Sequence, residues 1–517
     1  MPGGIMGNRT GMRVVALVAT TVALTSCAFV ERVDVASDGT AGPQAGASGY
    51  LSQDGRYDAF YDCRSLVPED GNGQCDVYLR DTLDNTTERV SLSATGGDPD
   101  DSSSPDGISA DGRYVLFSSN ATNLITGGTA GTNLFVRDRT AGTTTLVTVT
   151  TNGLAPNSPI GRGHLSADGR HVLFDTSATN VASGAVANRA DAFVRDLDAG
   201  TTSRVSLASN GSAANNDSQS GGISADGNLV VFESTATNLG GTAFYNHTYA
   251  RNRSAGTTTL VDVTLSGPST GGALPADNGI SSNGRYVLFN SWGDNLTADD
   301  PAGTTDVYVR DLQTETTNLV YSPSGIPAIG DPPPLLALNP VGISNDGRYV
   351  LINGLRTGDM THLTDFQVYV VDRADGRIDL VRSVSGPAFT RPAHATSISA
   401  DGAYITLDTG DPLMTGAFIR STTVPRISAV SPGAVMLGAP AILDVTGAHF
   451  VTGTIFTFGT GVTTTAVTVV DEHHATVSVT VAPDAPAGAH TIAAVAPGTG
   501  AGPLTGGTGI GFLSVQA

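Results

Sequence analysis

Few stretches of this sequence combine residue types and spacings that could do chemistry. Gly267–Gly271 reads Gly-Pro-Ser-Thr-Gly and matches the G-x-S-x-G pattern, in which a strained strand-to-helix turn exposes a nucleophilic serine. No helical pattern follows it, so we interpret the match as chance. His473 and His474 are adjacent, but a zinc site needs further ligands at matching spacing. A solvated turn is the better interpretation, and no catalytic residue is predicted.

Carboxylates are concentrated in two long stretches between the predicted strands. They are Asp98, Asp100, Asp101 and Asp106 in one stretch, and Asp294, Asp299 and Asp300 in the other. Clustered carboxylate and carbonyl oxygens are ligands that Ca²⁺ prefers, although the spacing of an EF-hand is absent. Plain solvation is the favoured interpretation, so no cofactor is expected and Ca²⁺ stays as the alternative.

A repeat organises the elements that must position these residues. The seed Gly-Ile-Ser-Ala-Asp-Gly-Arg-Tyr-Val-Leu-Phe stands whole at Gly107–Phe117 and recurs in variants along the chain. The residue before each turn glycine marks seven copies, 55 to 63 residues apart: Asp54, Asp111, Asp168, Asp226, Asn283, Asp346 and Asp401. A fixed period of this length indicates stacked or radial repeats.

Each repeat predicts four short strands. The first ends at an Asp-Gly turn suited to a tight hairpin, and the second, as in Tyr114–Phe117, is apolar on both faces. The third ends in Arg-Asp, as in Val307–Asp311, and its repetition favours an architectural role for that pair. The fourth is rich in threonine, as in Thr143–Val147, which is typical of an outer edge. Four-stranded units repeated radially are the blades of a β-propeller.

On the seed and the Asp-Val-Tyr-Val-Arg-Asp strand, the chain resembles the TolB-type, WD-repeat-like β-propeller family over residues 30–421. The resemblance implies a seven-bladed propeller and leaves function open. No fourth strand is evident after Arg420, whereas Glu31–Ala36 matches the fourth strand Glu88–Ser93. We therefore expect residues 30–36 to close the ring as the outer strand of the last blade, which removes open edges.

Residues 424–517 have a sequence pattern that differs from the repeat. Thr446–Phe450, Phe458–Gly461 and Val477–Pro483 resemble an IPT/TIG domain, a small immunoglobulin-like sandwich. Alternating Val and Thr strands punctuated by Gly and Pro favour a sandwich without that resemblance. The predicted fold class is all-β, a seven-bladed β-propeller followed by an immunoglobulin-like β-sandwich.

Residues 1–27 are predicted to be an export signal. Arg9 and Arg13 precede the apolar run Val14–Leu24, which is too short for a comfortable membrane span. The run leads into Leu24-Thr25-Ser26-Cys27, which resembles the bacterial lipobox and implies lipidation of Cys27. Ordinary signal cleavage nearby is the alternative.

Cys63 and Cys75 are the two cysteines beyond this signal. They lie at the end of the second strand and the start of the third in the first repeat, where antiparallel pairing brings positions within bridging distance. Because an exported protein meets an oxidising environment, we expect a disulfide, with two unpaired thiols as the alternative.

The chain carries 27 basic and 48 acidic residues, a net charge of −21, which argues against nucleic acid or anionic lipid as the main partner. The sequence predicts a monomeric, exported, lipid-anchored or secreted binding or scaffold protein of the cell envelope. Its membrane contact would be the lipid anchor, and its long-loop face would bind an envelope protein, a peptide or a glycan. The alternative is a hydrolase or lyase acting on extracellular polysaccharide, although no paired acid and base stands out.

Overall fold

The computed structural model describes residues 30–40, 47–82, 84–150, 153, 155–269, 271–294, 296–301, 303–323, 335–356, 366–374, 376–381, 393–409, 416–421, 426–448, 450, 453–471, 474–495 and 511–516. They fall into two compact units, Ala28–Val424 and Pro425–Ala517. In the described part of the chain, the single helix is the 3₁₀ turn Thr237–Leu239. No described helix has the length and hydrophobicity needed to cross a membrane. The signal segment 1–27, with Cys27, lies outside the described residues.

The first unit begins with β1 (Val30–Arg32) and continues as consecutive four-stranded antiparallel sheets. Sheet 1 contains β2 (Ala47–Leu51), β3 (Tyr57–Asp62), β4 (Asp76–Asp81) and β5 (Thr86–Arg89). Sheet 2 contains β6 (Ser103–Ile108), β7 (Tyr114–Ser119), β8 (Asn133–Asp138) and β9 (Thr143–Leu146). Sheet 3 contains β10 (Ile160–Leu165), β11 (His171–Thr176), β12 (Asp191–Asp196) and β13 (Thr201–Arg204). Sheet 4 contains β14 (Ser218–Ile223), β15 (Leu229–Ser234), β16 (His247–Asn252) and β17 (Thr257–Leu260).

The remaining sheets follow the same order after a two-stranded ribbon, β18 (Val263–Thr264) and β19 (Gly267–Pro268). Sheet 5 contains β20 (Ala273–Ile280), β21 (Tyr286–Ser291), β22 (Asp306–Asp311) and β23 (Thr316–Tyr321). Sheet 6 contains β24 (Leu335–Ile343), β25 (Tyr349–Arg356), β26 (Phe366–Asp372) and β27 (Arg377–Leu380). Sheet 7 contains β28 (Ala393–Ile398), β29 (Tyr404–Thr409) and β30 (Gly416–Ser421), and β1 pairs antiparallel with β30 as its fourth strand.

Packing of the first strands arranges these sheets in a ring. Each first strand contacts the next, in the order β2, β6, β10, β14, β20, β24 and β28, and β28 contacts β2 again. Each turn glycine packs against the preceding sheet in the same order. Gly112 of sheet 2 lies so close to the ring of Tyr57 in sheet 1 that a Cβ would overlap it, and Gly55 of sheet 1 lies equally close to Tyr404 of sheet 7. Four-stranded sheets packed face to face around a ring form a β-propeller.

The seed motif has a definite local structure. In sheet 2 the Ser109 hydroxyl donates to Asp111 over 2.6 Å and accepts the backbone N–H of Tyr114 over 2.9 Å, which fixes the turn. Arg113 then bonds Asp138 at the end of the third strand, with Nε 2.9 Å from Oδ1, and its guanidinium lies 4.7 Å from the centre of the Tyr114 ring. Asp138 also accepts the N–H of Thr140 over 3.0 Å, so the third-strand aspartate closes the following turn.

The arginine before that aspartate bonds to the neighbouring fourth strand. Arg137 donates to the Thr144 hydroxyl on the neighbouring fourth strand over 3.2 Å, and Arg310 donates to Thr317 in the same way over 3.1 Å. These bonds tie the third strand to the threonine-rich edge. The repeated Arg-Asp pair therefore stabilises each sheet.

The second unit consists of two four-stranded sheets. One has the order β31 (Arg426–Ser431), β33 (Pro440–Ala448), β36 (His474–Val481) and β35 (Val462–Asp471). The other has the order β32 (Ala434–Met436), β38 (Gly511–Gln516), β37 (Gly488–Val495) and β34 (Ile455–Thr457). Buried residues of both sheets, including Leu443, Val477, Phe456 and Leu513, form one hydrophobic core.

Candidate functional site

The first strands of all seven sheets line a central cavity of about 100 Å³. The last residue of each first strand lines this cavity. The residue before it is a glycine in sheets 2, 4, 5 and 6, of which Gly107 and Gly342 also line the cavity. Sheets 1 and 3 carry Tyr50 and His164 there instead. Gly107 and His164 occupy equivalent positions in their sheets. Gly107 pairs with Leu116 of the second strand in sheet 2, and His164 pairs with Leu173, the equivalent residue of sheet 3. Sheets 1 and 3 therefore place a large polar side chain in the channel at a position where four other sheets have a glycine.

Neighbouring positions carry further charged residues. Asp106, Arg162 and Asp277 lie on β6, β10 and β20. On the second strands, Asp175 and Glu233 follow the buried phenylalanine at the position held by Ser118 in sheet 2. Together with Tyr50 and His164 they form what we call the channel cluster: Tyr50, Asp106, Arg162, His164, Asp175, Glu233 and Asp277.

The cluster is connected by ion pairs and hydrogen bonds between sheets. Arg162 of sheet 3 forms an ion pair with Asp277 of sheet 5, and His164 Nδ1 lies 3.8 Å from Oδ1 of Asp277. Asp175 accepts the hydroxyl of Ser220 over 2.7 Å and its N–H over 3.1 Å. These contacts cross from sheet to sheet, so the site depends on the ring as a whole.

Burial changes the acidity of the cluster. It raises the pKa of Asp106 to about 6, and Oδ2 of this 7% exposed residue has no hydrogen-bond partner among the described residues. Burial, and then the charge of Asp175, raises the pKa of Glu233 to about 7. Burial also raises the pKa of Tyr50 and lowers that of His164. Near neutral pH the cluster thus contains two carboxyl groups, those of Asp106 and Glu233, that a nearby cation would ionise.

The members of the cluster lie at different levels along their strands. Asp106, Arg162 and Asp277 lie near the middle of their first strands, whereas Asp175 and Glu233 are the last residues but one of β11 and β15, which run from an Asp-Gly turn toward a long connection. At the turn end, backbone bonds join neighbouring sheets, as from Ala110 N to Ala167 O over 2.8 Å and from Ala400 N to Gln53 O over 2.9 Å. Asp175 and Glu233 therefore mark the end of the cluster nearer the long connections.

The acids predicted as Ca²⁺ candidates near residue 100 do not form one site. Arg89 donates to Asp98 over 2.7 Å, Asp100 accepts the Thr122 N–H over 2.6 Å, and Asp101 accepts the N–H of Ser102 over 2.7 Å. These three acids thus serve separate local contacts.

The fourth acid, Asp106, was expected in the same connection, and that placement is wrong. It lies within strand β6 and lines the channel. The long connection ends earlier than the sequence indicated, because β6 begins at Ser103.

The second set of acids is also divided. Asp294 accepts the Gly303 N–H over 3.1 Å, Asp300 accepts the Tyr308 hydroxyl over 2.6 Å, and Asp299 is exposed. Among the described residues, no three His, Cys, Asp or Glu side chains are grouped as metal ligands would be.

Cys63 and Cys75 are joined by a disulfide. It connects the residues that follow β3 and precede β4, so it closes the loop between the second and third strands of sheet 1. The bridge lies outside the channel lining and has a structural role.

The G-x-S-x-G stretch lies near a buried histidine and aspartate without forming a catalytic triad. His247 Nδ1 lies 2.6 Å from Asp262 Oδ2, but its Nε2 accepts the backbone N–H of Thr242 over 2.9 Å. The hydroxyl of Ser269 accepts the Gly271 N–H over 3.2 Å, and Ser269, His247 and Asp262 are all fully buried. Nε2 is therefore committed to Thr242, and no solvent path reaches the serine.

No family model and no curated protein matches the chain. The solved structures that it resembles include oligogalacturonate lyase of Vibrio parahaemolyticus, 12% identical over 77% of this chain and 97% of that one, with a TM-score of 0.46. The β-propeller domain of the Trilobed protease of Pyrococcus furiosus is 11% identical over 74% of this chain and 95% of that one, with a TM-score of 0.44. TolB of Acinetobacter baumannii is 12% identical over 71% of this chain and 80% of that one, with a TM-score of 0.34.

Sequence reasoning missed six of the seven cluster residues and named the seventh, Asp106, for a different reason. The column of Asp175 and Glu233 also holds Tyr61, Asn290 and Asp408, so these two acids do not stand out from it. Tyr50 and His164 do stand out, because the equivalent residue is a glycine in four other repeats. A large side chain in a column of small residues marks a departure from architecture. Such departures are where a repeat scaffold carries its function.

Proposed function

We propose that this chain is an exported, non-enzymatic binding protein of the bacterial cell envelope, and that its channel cluster binds a cationic group of a peptide or protein partner. The ligand would enter from the long-connection side of a seven-bladed propeller. The observation that supports this most directly is the excess of carboxyl groups in the cluster, four against the single guanidinium of Arg162.

Electrostatics favours a cation at this site over an anion. Asp277 is paired with Arg162, whereas Asp106 and Glu233 have no ion-pair partner in the described structure and raised pKa values. A cation bound beside either carboxyl group would stabilise its ionised form and offset the cost of burying it. The net charge of −21 would also draw cationic partners toward the protein over long distances.

Titration calorimetry with the tripeptide Arg-Arg-Arg amide tests this proposal. We expect binding that weakens with salt and strengthens as the pH rises from 5 to 8, because Asp106 and Glu233 lose their protons with pKa values of about 6 and 7. Proton release on binding should accompany it in this range. The matched peptide with citrulline in place of arginine should not bind.

Two variants locate the site. Asp277→Asn should weaken binding about tenfold or more, the scale of a lost charged hydrogen bond. Asp299→Asn, an exposed acid outside the channel lining, should leave the affinity unchanged. Equal affinity for the arginine and citrulline peptides would overturn the proposal.

A second candidate function is an enzyme acting on extracellular polysaccharide. The observation in its favour is that Asp106 and Glu233 have pKa values of about 6 and 7, the range suited to general acids and bases near neutral pH. Turnover of envelope oligosaccharides by the intact protein, abolished by both Asp106→Asn and Glu233→Gln, would establish it in place of the binding role.

The proposal extends to the ends of the chain. Cys27 would carry the lipid anchor, which labelling of the exported protein with fatty acid would detect and a Cys27→Ala variant should abolish. Residues 424–517 would form an IPT/TIG-like spacer or accessory binding module. Multiple acyl chains on one cysteine would hold such a protein stably at a membrane.

A further inference from the structure

Three aromatic side chains are exposed in equivalent connections of the neighbouring sheets 4 and 5. Phe244 is 97% exposed, Tyr245 39% and Trp292 40%, and Trp292 is the one tryptophan of the chain. Phe244 and Tyr245 lie in the connection between β15 and β16, and Trp292 begins the equivalent connection between β21 and β22. We call these three residues the aromatic patch. It lies on the long-connection side, as Glu233 of the channel cluster does.

The loop that carries Phe244 is held firmly at both ends. Thr242 donates its N–H to the buried His247 and its hydroxyl to the carbonyl of Ser269 over 3.1 Å. Asn246 accepts the N–H of Ala273 over 2.8 Å. The buried His247–Asp262 pair thus anchors the loop and explains why the G-x-S-x-G stretch packs against it.

Phe244 itself has an unfavourable conformation. Its φ of +76° lies in the left-handed region, which bulky residues rarely adopt, and its side chain gains no burial in return. Backbone strain of this kind concentrates at ligand clamps, where the surrounding structure imposes it. An exposed phenylalanine that the loop holds in this conformation is available to contact a ligand.

The patch adjoins the channel cluster. A Cβ on Gly272 would lie 2.8 Å from Cζ2 of Trp292 and 3.1 Å from the carbonyl oxygen of Asn246, so Gly272 keeps the indole and the loop close together. The side-chain amide of Asn246 in turn donates to Glu233 of the cluster over 3.4 Å. A ligand in the channel mouth next to Glu233 would therefore have the aromatic patch beside it.

We propose that the aromatic patch binds a large apolar side chain of the same partner segment whose cationic group enters the channel. This inference rests on the proposed function and specifies its ligand as an extended polypeptide segment with a basic residue followed within a few positions by an aliphatic or aromatic one. Charge complementarity selects a basic segment, because the patch borders carboxyl groups. The aromatic faces supply apolar contact area with little loss of side-chain freedom.

Trp292 fluorescence provides a direct test, since no other tryptophan contributes. The probes are acetylated peptides with two arginines and a leucine one, two or three residues later, each matched to a peptide with serine in place of leucine. We expect at least one leucine peptide to bind about tenfold more tightly than its serine match, as burial of one aliphatic side chain would give. That peptide should also shift the Trp292 emission to shorter wavelength.

Variants separate the patch from the channel. Phe244→Ser should remove the leucine advantage and leave the affinity for the serine peptide unchanged, and unfolding is not expected because the side chain is 97% exposed. The control is Leu265→Ser, which changes another exposed apolar residue, at the tip of the β18–β19 ribbon, and should keep the full advantage.

Failure of this inference and failure of the proposed function give different results. If the serine peptides bind but leucine adds no affinity at any spacing, the patch proposal is wrong and the channel proposal stands. If none of the arginine peptides binds, both are wrong. A shift of Trp292 emission by neutral oligosaccharides but not by the leucine peptides would assign the patch to a glycan and overturn the inference.

Discussion

A single buried residue, Asp58, departs from the packing that every other sheet uses. It lies on β3 at the position that Val115, Val172 and Val230 occupy in sheets 2, 3 and 4, and it is fully buried. Neither carboxyl oxygen has a hydrogen-bond partner among the described residues. Burial, and then the charges of Asp408 and Asp34, raises the pKa of Asp58 well above its usual value.

Replacing this residue with the valine of the repeat should stabilise the protein. Because the folded pKa of Asp58 lies above the unfolded value of about 4, its contribution to stability is fully present below pH 4 and is lost as the pH rises toward the folded pKa. Asp58→Val should therefore raise the urea midpoint more at pH 7.5 than at pH 4.5. Asp299→Val, at an exposed site, should show no such dependence, and a gain for Asp58→Val that shrinks with rising pH would contradict this account.

Burying the carboxyl groups of Asp106 and Glu233 at the candidate site has the same kind of free-energy cost as burying Asp58. Each is a carboxyl group that the fold buries, and burial raises the pKa of both. Proteins retain such costs where a charge is needed for function. The distinction is that Asp106 and Glu233 belong to the channel cluster, whereas Asp58 does not.

The sheets could be predicted from the sequence because every seed residue has a local role. The serine and aspartate fix the turn, the arginine reaches the third strand, and the Tyr114 ring covers the turn glycine Gly169 of the next sheet. Gly169 has a φ of +72° and no room for a side chain, so both requirements select glycine. Because every residue of the motif makes a defined local contact, the motif predicts the structure of the sheet that contains it.

The channel cluster and the aromatic patch could not be predicted in the same way. Arg162 and Asp277 are 115 residues apart in sequence and meet only because the ring brings sheets 3 and 5 together. Trp292 and Asn246 come together through the glycine at 272, whose role depends on the surrounding loops. Within each repeat these residues appear as ordinary variation, since the geometry that joins them belongs to the whole ring.

Closure of the ring depends on a short segment at the start of the first unit. Val30–Arg32 supplies the fourth strand of sheet 7 by pairing with β30, and the residues after it extend to sheet 1, where the Thr87 hydroxyl donates to the carbonyl of Val35 over 2.6 Å. Val33 and Asp34 are fully buried. Asp34 accepts hydrogen bonds from Arg32 over 2.6 Å and from Arg64 of sheet 1 over 2.7 Å. One segment thus joins the last sheet to the first.

Removing residues 28–36 should destabilise the whole first unit, because β30 loses its neighbour and becomes an unpaired edge while the contacts of Val33 and Asp34 are lost. Loss of the buried Val33 and Val35 side chains alone should cost about 3 kcal/mol or more. We expect a lower melting temperature and faster hydrogen exchange in 416–421 for a chain that starts at residue 37 than for one that starts at residue 28.

The control replaces the exposed Asp38–Thr40 with Ser-Gly-Ser and should melt normally. A synthetic peptide spanning 28–40, added to the shortened chain, should restore both the melting temperature and the protection of 416–421, because the missing strand pairs through backbone hydrogen bonds that a separate peptide can make. Unchanged melting and exchange in the shortened chain would show that sheet 7 is stable with three strands and that closure relies on the contacts of β28 with β2.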